Sequence, residues 1–210
     1  MKPGLELSDL ALDGPLPDRF RRRSSLFWTP LEIVQRGVGW LDEVAAGDVL
    51  DLGSGVGKWC VGAALSDRDG RRRYLGLEHR ADLVATATAL AAHFEVSERV
   101  AFHCGEVADL APSSEKIGGP FDPAGVAAFY LFNPFGENTA PEHEYLDTAV
   151  ELSEARFRRD VAATEALLRA ARPGTLALIY NGFGGRVPDS YEVLRSDYER
   201  PFTLRLWRKR

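Results

Sequence analysis

Short apolar runs alternate along this chain with longer segments whose apolar residues recur every three or four positions. The short runs are bounded by glycine, proline or charged residues, which is typical of buried strands. They cover residues 49–52, 74–78, 100–104, 127–132 and 175–180. The longer segments predict helices over residues 30–41, 59–65 and 81–94, and one more that ends at Pro173-Gly174. Strands that alternate with helices and are apolar on both faces predict a parallel sheet that helices cover on both sides.

The end of the chain has a different pattern. Residues 191–195 and 202–207 are separated by a polar turn that contains a proline, and apolar and polar residues alternate strictly in the second segment. Two such neighbouring segments predict an antiparallel hairpin. The fold prediction is therefore an α/β domain whose mostly parallel sheet finishes in a C-terminal antiparallel hairpin.

The first 28 residues form a predicted extension ahead of a domain that spans residues 29–210. Four helix-breaking residues predict that this extension is irregular, namely Pro3, Gly14, Pro15 and Pro17. Residues 19–23 are a short basic run, and a solvated linker is its simplest interpretation. Thr29 then suits a helix N-cap and Pro30 the first helical position.

Composition narrows the function classes. The chain has 210 residues and a net charge of −5, from 26 basic and 31 acidic residues, which disfavours a nucleic-acid-binding domain on average. Two cysteines, Cys60 and Cys104, exclude a disulfide framework and suit a reducing compartment. No zinc-type ligand spacing occurs, so no metal is expected. The start of the chain lacks signal-peptide features and no apolar run approaches the ~20 residues of a membrane span, so we expect a cytoplasmic protein.

The strongest chemical motif is Asp51-Leu-Gly53-Ser54-Gly55-Val-Gly57, which lies between the first predicted strand and a helix. Glycines allow a sharp turn and let a ligand approach bare backbone, and the helix N-terminus offers unpaired N–H groups. The spacing is one residue tighter than the dinucleotide-binding G-x-G-x-x-G pattern. Asp51 also repels a pyrophosphate and attracts an ammonium group.

Glu78 ends the second predicted strand, 21 residues after Gly57. A carboxylate at this place can accept hydrogen bonds from both hydroxyls of a ribose. Together with Asp51 it indicates a nucleoside whose other end is a zwitterionic amino acid, as in S-adenosylmethionine (SAM). With the hairpin, these motifs resemble the class I SAM-dependent methyltransferases over about residues 29–210. The resemblance implies a Rossmann-like, mostly parallel seven-stranded sheet with helices on both faces, and SAM as the cofactor.

The resemblance also implies roles for single residues. Asp51 and the glycine backbone hold the methionine end of SAM, and Glu78 holds the ribose. Glu106 follows the third strand, where an acid meets the adenine amino group and the apolar neighbour Val107 packs on the ring; a surface acid is the alternative for Glu106. The predicted cofactor contacts are Thr29, Asp51, Gly53, Ser54, Gly55, Gly57, Glu78, His79, Glu106, Val107 and Asn133.

The fourth predicted strand ends in Asn133-Pro134-Phe135, at the end of a strand where ligands bind in this fold. The tripeptide resembles a shortened Asn-Pro-Pro-Tyr/Phe signature of amino-directed methyltransferases, with one proline missing. It also resembles the Asn-Asn-Phe segment of Dot1-like histone-lysine methyltransferases, whose glycine motif is spelled the same, and residues 29–30 resemble small prokaryotic protein-lysine methyltransferases. The resemblance implies catalytic roles: Asn133 accepts a hydrogen bond from an attacking amine, Pro134 fixes the loop and Phe135 encloses the acceptor. A purely structural turn is the alternative.

Residues 137–154 contain six acidic residues and neither Lys nor Arg. Four of them share one face of a predicted amphipathic helix, namely Glu144, Asp147, Glu151 and Glu154. This helix belongs to a predicted insert over residues 136–157. It is either a solvated face or a lid over the acceptor pocket, which would attract a cationic acceptor and repel nucleic-acid phosphates.

The sequence thus predicts a SAM-dependent methyltransferase that modifies an amine nitrogen, in a protein lysine or a small cationic amine. Two alternatives stay open. A nucleic-acid base N-methyltransferase fits the Asn-Pro-Phe tripeptide and the basic run at residues 19–23, although the acidic balance makes nucleic acid the less favoured partner. A catalytically inactive SAM-binding adaptor would bind the cofactor without turnover.

Overall fold

A computed structural model describes residues 7–42, 46–110, 122, 123, 125–199 and 202–210. Its strands are β1 (Gly47–Leu52), β2 (Arg72–Glu78), β3 (Val100–Cys104), β4 (Ala128–Phe132), β5 (Leu176–Tyr180), β6 (Tyr191–Glu199) and β7 (Phe202–Lys209). Its α-helices are α1 (Asp9–Asp13), α2 (Asp18–Arg21), α3 (Ser24–Phe27), α4 (Leu31–Asp42), α5 (Lys58–Ser66), α6 (Ala81–His93) and α7 (Glu154–Ala170). Within these ranges no helix has the length and apolar character needed to cross a bilayer.

The seven strands form one sheet in the order β3-β2-β1-β4-β5-β7-β6. The pairs β1–β2, β2–β3 and β4–β5 are parallel, whereas β7 runs antiparallel to both β5 and β6. The predicted mostly parallel, seven-stranded sheet with a C-terminal antiparallel hairpin is confirmed. The predicted turn covered residues 196–201, but residues 196–199 belong to β6, and residues 200–201 lie outside the described residues.

The chain divides into two compact units, residues 1–104 and 105–210. In the first unit, β1 and β2 pair in register so that Leu52 lies beside Leu77 at their carboxyl ends. Helix α5 is buried from Lys58 to Ala64, which explains its nearly continuous apolar sequence. The chain that follows β1 therefore rests on a rigid, buried framework.

In the second unit, every residue of β5 is buried, and β4 is buried up to its last residue. Helix α7 lies against the hairpin side of this unit, where the hydroxyl of Tyr191 donates to the carbonyl oxygen of Leu168 at 3.2 Å. The register of β6 shifts between Val193 and Arg195, as in a β-bulge. The hairpin is therefore fixed to the packed part of its own unit.

The predicted irregular extension is wrong for residues 9–27, which form α1, α2 and α3. Ser8 caps α1 by accepting a hydrogen bond from the N–H of Ala11 at 3.1 Å. Pro15 and Pro17 lie between α1 and α2, so they separate two short helices rather than prevent them. Residues 1–6 of the extension lie outside the described residues.

A buried lysine holds these short helices in place. Lys58, the first residue of α5, is only 3% exposed. Its Nζ lies 2.7 Å from Asp9 Oδ1 and donates to Asp13 Oδ2 and to Ser24 Oγ, each at 3.0 Å. Asp9 Oδ1 also accepts from the N–H of Leu31, where α4 begins one residue later than predicted. The extension is thus packed against the helix that follows the glycine motif.

The predicted acidic helix over residues 137–154 is wrong. Two 3₁₀ turns, Gly136–Thr139 and Glu142–Glu144, are followed by non-helical chain up to Ser153. Of the four acids expected on one face, only Glu154 lies in an α-helix, as the first residue of α7, while Glu144 ends the second 3₁₀ turn. These acids therefore do not share a helical face.

Side chains explain why this segment is not helical. Glu137 Oε1 accepts from the N–H of Leu146 at 2.6 Å, and Asn138 Oδ1 accepts from the N–H of Ser153 at 3.3 Å. Such bonds offer the backbone an alternative to helical pairing, and Pro141 cannot donate one. The hydroxyl of Ser153 accepts from the third residue of α7, so the helix begins only there.

Candidate functional site

The predicted site residues fall into two groups, one in each unit. The first unit holds Thr29, Asp51, Gly53, Ser54, Gly55, Gly57, Glu78 and His79. The second holds Glu106, Val107, Asn133, Pro134 and Phe135. Across the described ranges, no group of three or more His, Cys, Asp or Glu side chains is placed to hold a metal ion.

The glycine motif forms a tight turn directly after β1. The N–H groups of Gly53 and Ser54 both donate to the carbonyl oxygen of Leu77 at the end of β2, at 2.9 and 3.0 Å. Gly55 and Gly57 have φ of +55° and +75°, in the left-handed region that favours glycine. The turn therefore requires glycine at these positions, as the sequence suggested.

Two aromatic rings that the sequence did not indicate pack on this turn. A Cβ atom at Gly55 would overlap the indole ring of Trp28, and one at Gly57 would overlap the ring of Phe102. Trp28 follows α3 and is 8% exposed, so the folded extension covers the glycine turn. In the sequence, the only feature that pointed to Trp28 was its position beside Thr29, a predicted cofactor contact. Thr29 is also buried.

Glu78 is a buried, ionised carboxylate at the end of β2. Its Oε2 accepts from the N–H of Gly55 at 3.0 Å, and its Oε1 accepts from the N–H of Arg80 at 2.9 Å and lies 3.1 Å from His79 Nδ1. Burial raises the pKa of Glu78, but the hydrogen bond and charge of His79 and the two backbone N–H groups outweigh it and place that pKa below its usual value. Glu78 therefore ties the glycine turn to β2 as an anion.

Asp51, buried in β1, has the opposite protonation state. Burial raises the pKa of Asp51 to about 8; the hydrogen bond from Cys60 Sγ, at 3.6 Å, lowers it and the charge of Glu78 raises it. Burial likewise raises the pKa of the Cys60 thiol. At neutral pH the turn thus has one ionised carboxylate and one largely protonated carboxyl group beside it.

The raised pKa of Asp51 predicts how stability changes with pH. The folded state holds a proton on Asp51 that the unfolded chain releases near pH 3.8, so the contribution of Asp51 to the free energy of unfolding falls as pH rises from about 4 to 8. In Asp51→Asn this loss disappears, and the variant gains stability relative to the wild type between pH 5 and pH 8. Urea unfolding at both pH values measures this difference, with the exposed Asp69→Asn as the control. Parallel pH profiles for wild type and Asp51→Asn would contradict the expectation.

Three buried polar atoms around the turn have no hydrogen-bond partner within the described part of the chain, namely Ser54 Oγ, His79 Nε2 and Trp28 Nε1. A buried polar atom without a partner costs roughly 1–3 kcal/mol. A ligand that offers both donors and acceptors would recover this free energy. The ribose and amino-acid groups of SAM fit that requirement; Glu78 suits a ribose hydroxyl and Asp51 suits the ammonium group.

In the second unit, Glu106 lies in an ion-pair cluster. Its Oε1 lies 3.2 Å from Arg156 Nη2 and its Oε2 lies 2.7 Å from Arg159 Nη2, both on α7. Val107, which begins a 3₁₀ turn, is buried. Because both oxygens of Glu106 already accept from a guanidinium, an adenine amino group would have to share them. The adenine contacts of Glu106 and Val107 stay predictions.

The turn after β4 presents Asn133 to solvent. Asn133 has φ of +39°; its N–H donates to the carbonyl oxygen of Gly182 at 2.9 Å, and its own carbonyl accepts from Gly136 N–H at 3.1 Å. A Cβ at Gly136 would overlap the Asn133 amide, so the glycine leaves room for that side chain. Pro134 is half-buried, and Phe135 is buried. Asn133 is thus accessible, while a contact between Phe135 and an acceptor stays a prediction.

No family model and no curated protein matches this sequence. Solved structures do. An RNA methyltransferase from Salinibacter ruber, in complex with S-adenosyl-L-homocysteine (SAH), has a TM-score of 0.57 at 21% identity, over 86% of this chain and 92% of that chain. A SAM-dependent methyltransferase from Geobacter sulfurreducens, also with SAH, has a TM-score of 0.53 at 18% identity, over 87% and 74% of the two chains. TrmN from Thermus thermophilus has a TM-score of 0.59 at 14% identity over 87% of this chain, which spans 49% of TrmN.

At these identities the similarity establishes the fold alone. That fold is the Rossmann-like class I fold of SAM-dependent methyltransferases, as the sequence predicted. The narrower resemblance to Dot1-like and small prokaryotic protein-lysine methyltransferases stays a prediction.

Proposed function

We propose that this protein binds SAM and transfers its methyl group to an acceptor. The observation that carries the proposal is the placement of two buried carboxyl groups, Asp51 and Glu78, beside the glycine turn, where Glu78 accepts from the N–H of Gly55. Ionised Glu78 already accepts from two backbone N–H groups and from His79, so about one of its four lone pairs is left to accept from a ribose hydroxyl. An ammonium group beside Asp51 stabilises its ionised form, so binding at neutral pH releases the Asp51 proton.

The chain's own residues bind and orient the reactants. Bound SAM supplies the methyl group: the lone pair of an acceptor nitrogen forms the N–C bond as the C–S bond breaks, the electron pair stays on sulfur, and the surplus proton on nitrogen passes to solvent. The glycine turn and Glu78 hold the donor in a fixed orientation. Alignment of donor and acceptor can account for about 7–11 kcal/mol of the barrier. No general base is assigned.

We propose a nitrogen acceptor at Asn133. Support comes from its exposed side chain and from the two backbone hydrogen bonds that hold the turn. The amide oxygen can accept a hydrogen bond from an N–H group of the acceptor and so orient the nitrogen lone pair. The sequence favoured a cationic amine partly because it predicted an acidic helix near the acceptor. Residues 137–154 form no such helix, so this argument no longer applies. An RNA methyltransferase among the similar structures is consistent with a nucleobase amine as the alternative.

Calorimetry with SAM and SAH tests the cofactor. We expect micromolar binding of both, with a heat that differs between phosphate and Tris buffers at pH 7, because Asp51 releases its proton on binding. Asp51→Asn should bind without this buffer dependence. Binding of neither compound at millimolar concentration would refute the proposal, and binding without methyl transfer to any acceptor would indicate the inactive adaptor.

A screen for methyl transfer identifies the acceptor class. Purified protein with tritiated-methyl SAM is added to a cell lysate, which is then separated into protein, nucleic-acid and small-molecule fractions. Label in protein or small amines would support the cationic amines that the sequence favoured, and label in RNA or DNA would support the nucleobase alternative instead. The labelled fraction then becomes the substrate for variants.

Replacing Asn133 by alanine is expected to slow methyl transfer about 10–100-fold, because a hydrogen bond worth ~1.5–3 kcal/mol to the acceptor is lost. The Kd for SAH should stay within twofold of the wild type. Asn133→Gly is the matched control. Glycine removes the side chain, as alanine does, but it readily adopts the left-handed backbone conformation of Asn133. Full activity in both variants would show that the acceptor site is elsewhere. Loss in alanine only would show that the backbone conformation, not the amide, matters.

A further inference from the structure

A cavity of about 620 Å³ lies wholly within the second unit, between the loop that follows β5 and the facing residues of β7. Its volume is within the range of about 300–1,000 Å³ that is typical of small-molecule sites. None of the predicted site residues lines it. The cavity is therefore a candidate binding site that the sequence did not indicate.

The loop that lines the cavity is held at two points. At its start, the N–H of Asn181 donates to the carbonyl oxygen of Thr203 at 3.0 Å, and the N–H of Thr203 donates to Asn181 Oδ1 at 3.2 Å. Further along, the N–H of Arg186 donates to Glu165 Oε1 on α7 at 2.9 Å. The cavity is thus largely preformed, which lowers the entropic cost of binding.

The charge at the cavity is positive. Arg186 and Arg205 are both exposed and line it, and none of the described residues that line it is acidic. Within the described ranges, neither guanidinium makes an ion pair or a hydrogen bond, whereas Arg156 and Arg159 are paired with carboxylates. The carboxylate of Glu165 already accepts from the Arg186 backbone and from a neighbouring arginine on α7. Two free guanidinium groups at one cavity suit a phosphate.

The remaining walls suit a flat aromatic group. Trp207 is half-buried at the cavity, and Ile179, Phe183 and Val187 supply apolar surface. Indole rings are good stacking platforms for nucleobases, with roughly 1–3 kcal/mol per stacked base. An apolar floor with an aromatic wall and a cationic rim combines the two recognition elements of a nucleotide.

The cavity also adjoins the turn that we assign to the methyl acceptor. Gly182 lines the cavity, and its carbonyl oxygen accepts the backbone hydrogen bond of Asn133 at 2.9 Å. We infer that the cavity binds an aromatic base that carries a phosphate, as part of the methyl acceptor. This inference rests on the proposed methyl transfer. The net charge of −5 does not oppose it, because the charge that a ligand meets here is that of Arg186 and Arg205.

The test measures nucleotide binding by the full chain in saturating SAH, so that the proposed cofactor site is filled. The probes are adenosine and cytidine 5′-monophosphates, the two nucleosides without phosphate, and a fluorescent ten-nucleotide single-stranded RNA of mixed sequence. The variant is Arg186→Gln/Arg205→Gln. The control is Arg158→Gln/Arg172→Gln, which removes the same charge from exposed positions of the same unit.

We expect the Arg186→Gln/Arg205→Gln variant to weaken nucleotide binding at least tenfold and the control to stay within twofold. For the RNA, the slope of log K against log salt should fall by about 1.4 in the variant, the value for two phosphate contacts to a single strand. Trp207→Leu should weaken the monophosphates and also the nucleosides. Equal affinity for monophosphate and RNA would identify a free nucleotide, and much tighter RNA binding would identify a strand.

The inference is overturned if the wild type binds neither monophosphate nor RNA, or if the control variant loses as much affinity as the cavity variant. The binding of SAH separates this result from failure of the proposed function. Wild type that binds SAH but no nucleotide contradicts only the cavity. If the wild type binds nucleotides but not SAH, the cavity still binds nucleotides, but its assignment to the methyl acceptor is wrong.

Discussion

Replacing Glu78 by glutamine is expected to raise the Kd for SAH about 100-fold, equivalent to ~2.7 kcal/mol. The buried carboxylate accepts from the N–H groups of Gly55 and Arg80. In the glutamine side chain, an NH₂ group replaces one of the two carboxylate oxygens, so it faces an N–H donor instead of accepting from it. The variant therefore loses the charge that we propose holds the ribose, together with part of the glycine turn, and its free energy of unfolding should fall by about 1–3 kcal/mol.

Calorimetry with SAH and urea unfolding measure the two effects of Glu78→Gln, at a temperature where circular dichroism shows the variant folded. Glu32→Gln is the matched control, since that carboxylate is exposed on α4 and pairs only along its own helix. We expect no more than a twofold change in Kd for the control. A Kd within threefold of the wild type in a folded Glu78→Gln protein would show that Glu78 does not hold the ligand.

Replacing Lys58 by methionine is expected to lower the free energy of unfolding by about 3 kcal/mol, because removal of one partner leaves a buried carboxylate without compensation. The side chain of Asp13 is only 14% exposed, whereas that of Asp9 is half exposed and can be solvated. A loss of this size corresponds to a melting temperature lower by about 6–12 °C. SAH affinity should fall too, since the extension places Trp28 on Gly55.

A second variant identifies the cause of this loss. In Lys58→Met/Asp13→Asn the uncompensated charge is removed, so the double variant should be more stable than Lys58→Met alone by about 1 kcal/mol. Asp18→Asn, which breaks an exposed pair with Arg21 on α2, should change stability by less than ~0.5 kcal/mol. Thermal unfolding compares the four proteins. Equal stability of Lys58→Met and wild type would show that the lysine does not hold the extension.

The sequence was most informative where local geometry decides the outcome. The glycine turn was predictable because Gly55 and Gly57 adopt left-handed backbone conformations that other residues avoid. The same holds for β5 and the hairpin, since continuous apolar runs and strict alternation follow directly from burial on two faces or on one. The two acids of the candidate cofactor site, Asp51 and Glu78, could be identified because they lie near the ends of two predicted strands.

The protonation of those acids could not be predicted in the same way. Asp51 and Glu78 are both buried carboxyl groups at neighbouring strand ends, yet their pKa values move in opposite directions. The difference comes from their partners: His79 and two backbone N–H groups face Glu78, whereas a neutral thiol faces Asp51. Hydrogen-bond partners of this kind are set by how the strands and the following helix pack.

The acidic segment shows where helical periodicity misleads. Residues 137–154 have the spacing of an amphipathic helix, but Glu137 and Asn138 bond to backbone groups nine and fifteen residues away. Such side-chain bonds compete with a helix and leave no trace in the spacing of charges. The prolines of the extension led to the opposite error. They predicted irregular chain, but they separate short helices, which contacts with Lys58 hold in place.

The sequence by itself determined the strand order along the chain, the glycine turn, its two acids and the antiparallel hairpin, because each depends on backbone geometry or burial over a few neighbouring residues. Only the tertiary structure decided which carboxyl group is ionised, how the extension covers the turn, and that Arg186, Arg205 and Trp207 line one cavity. These features depend on contacts between residues distant in sequence, and on the desolvation and charge that such contacts bring. Spacing along the chain does not encode them.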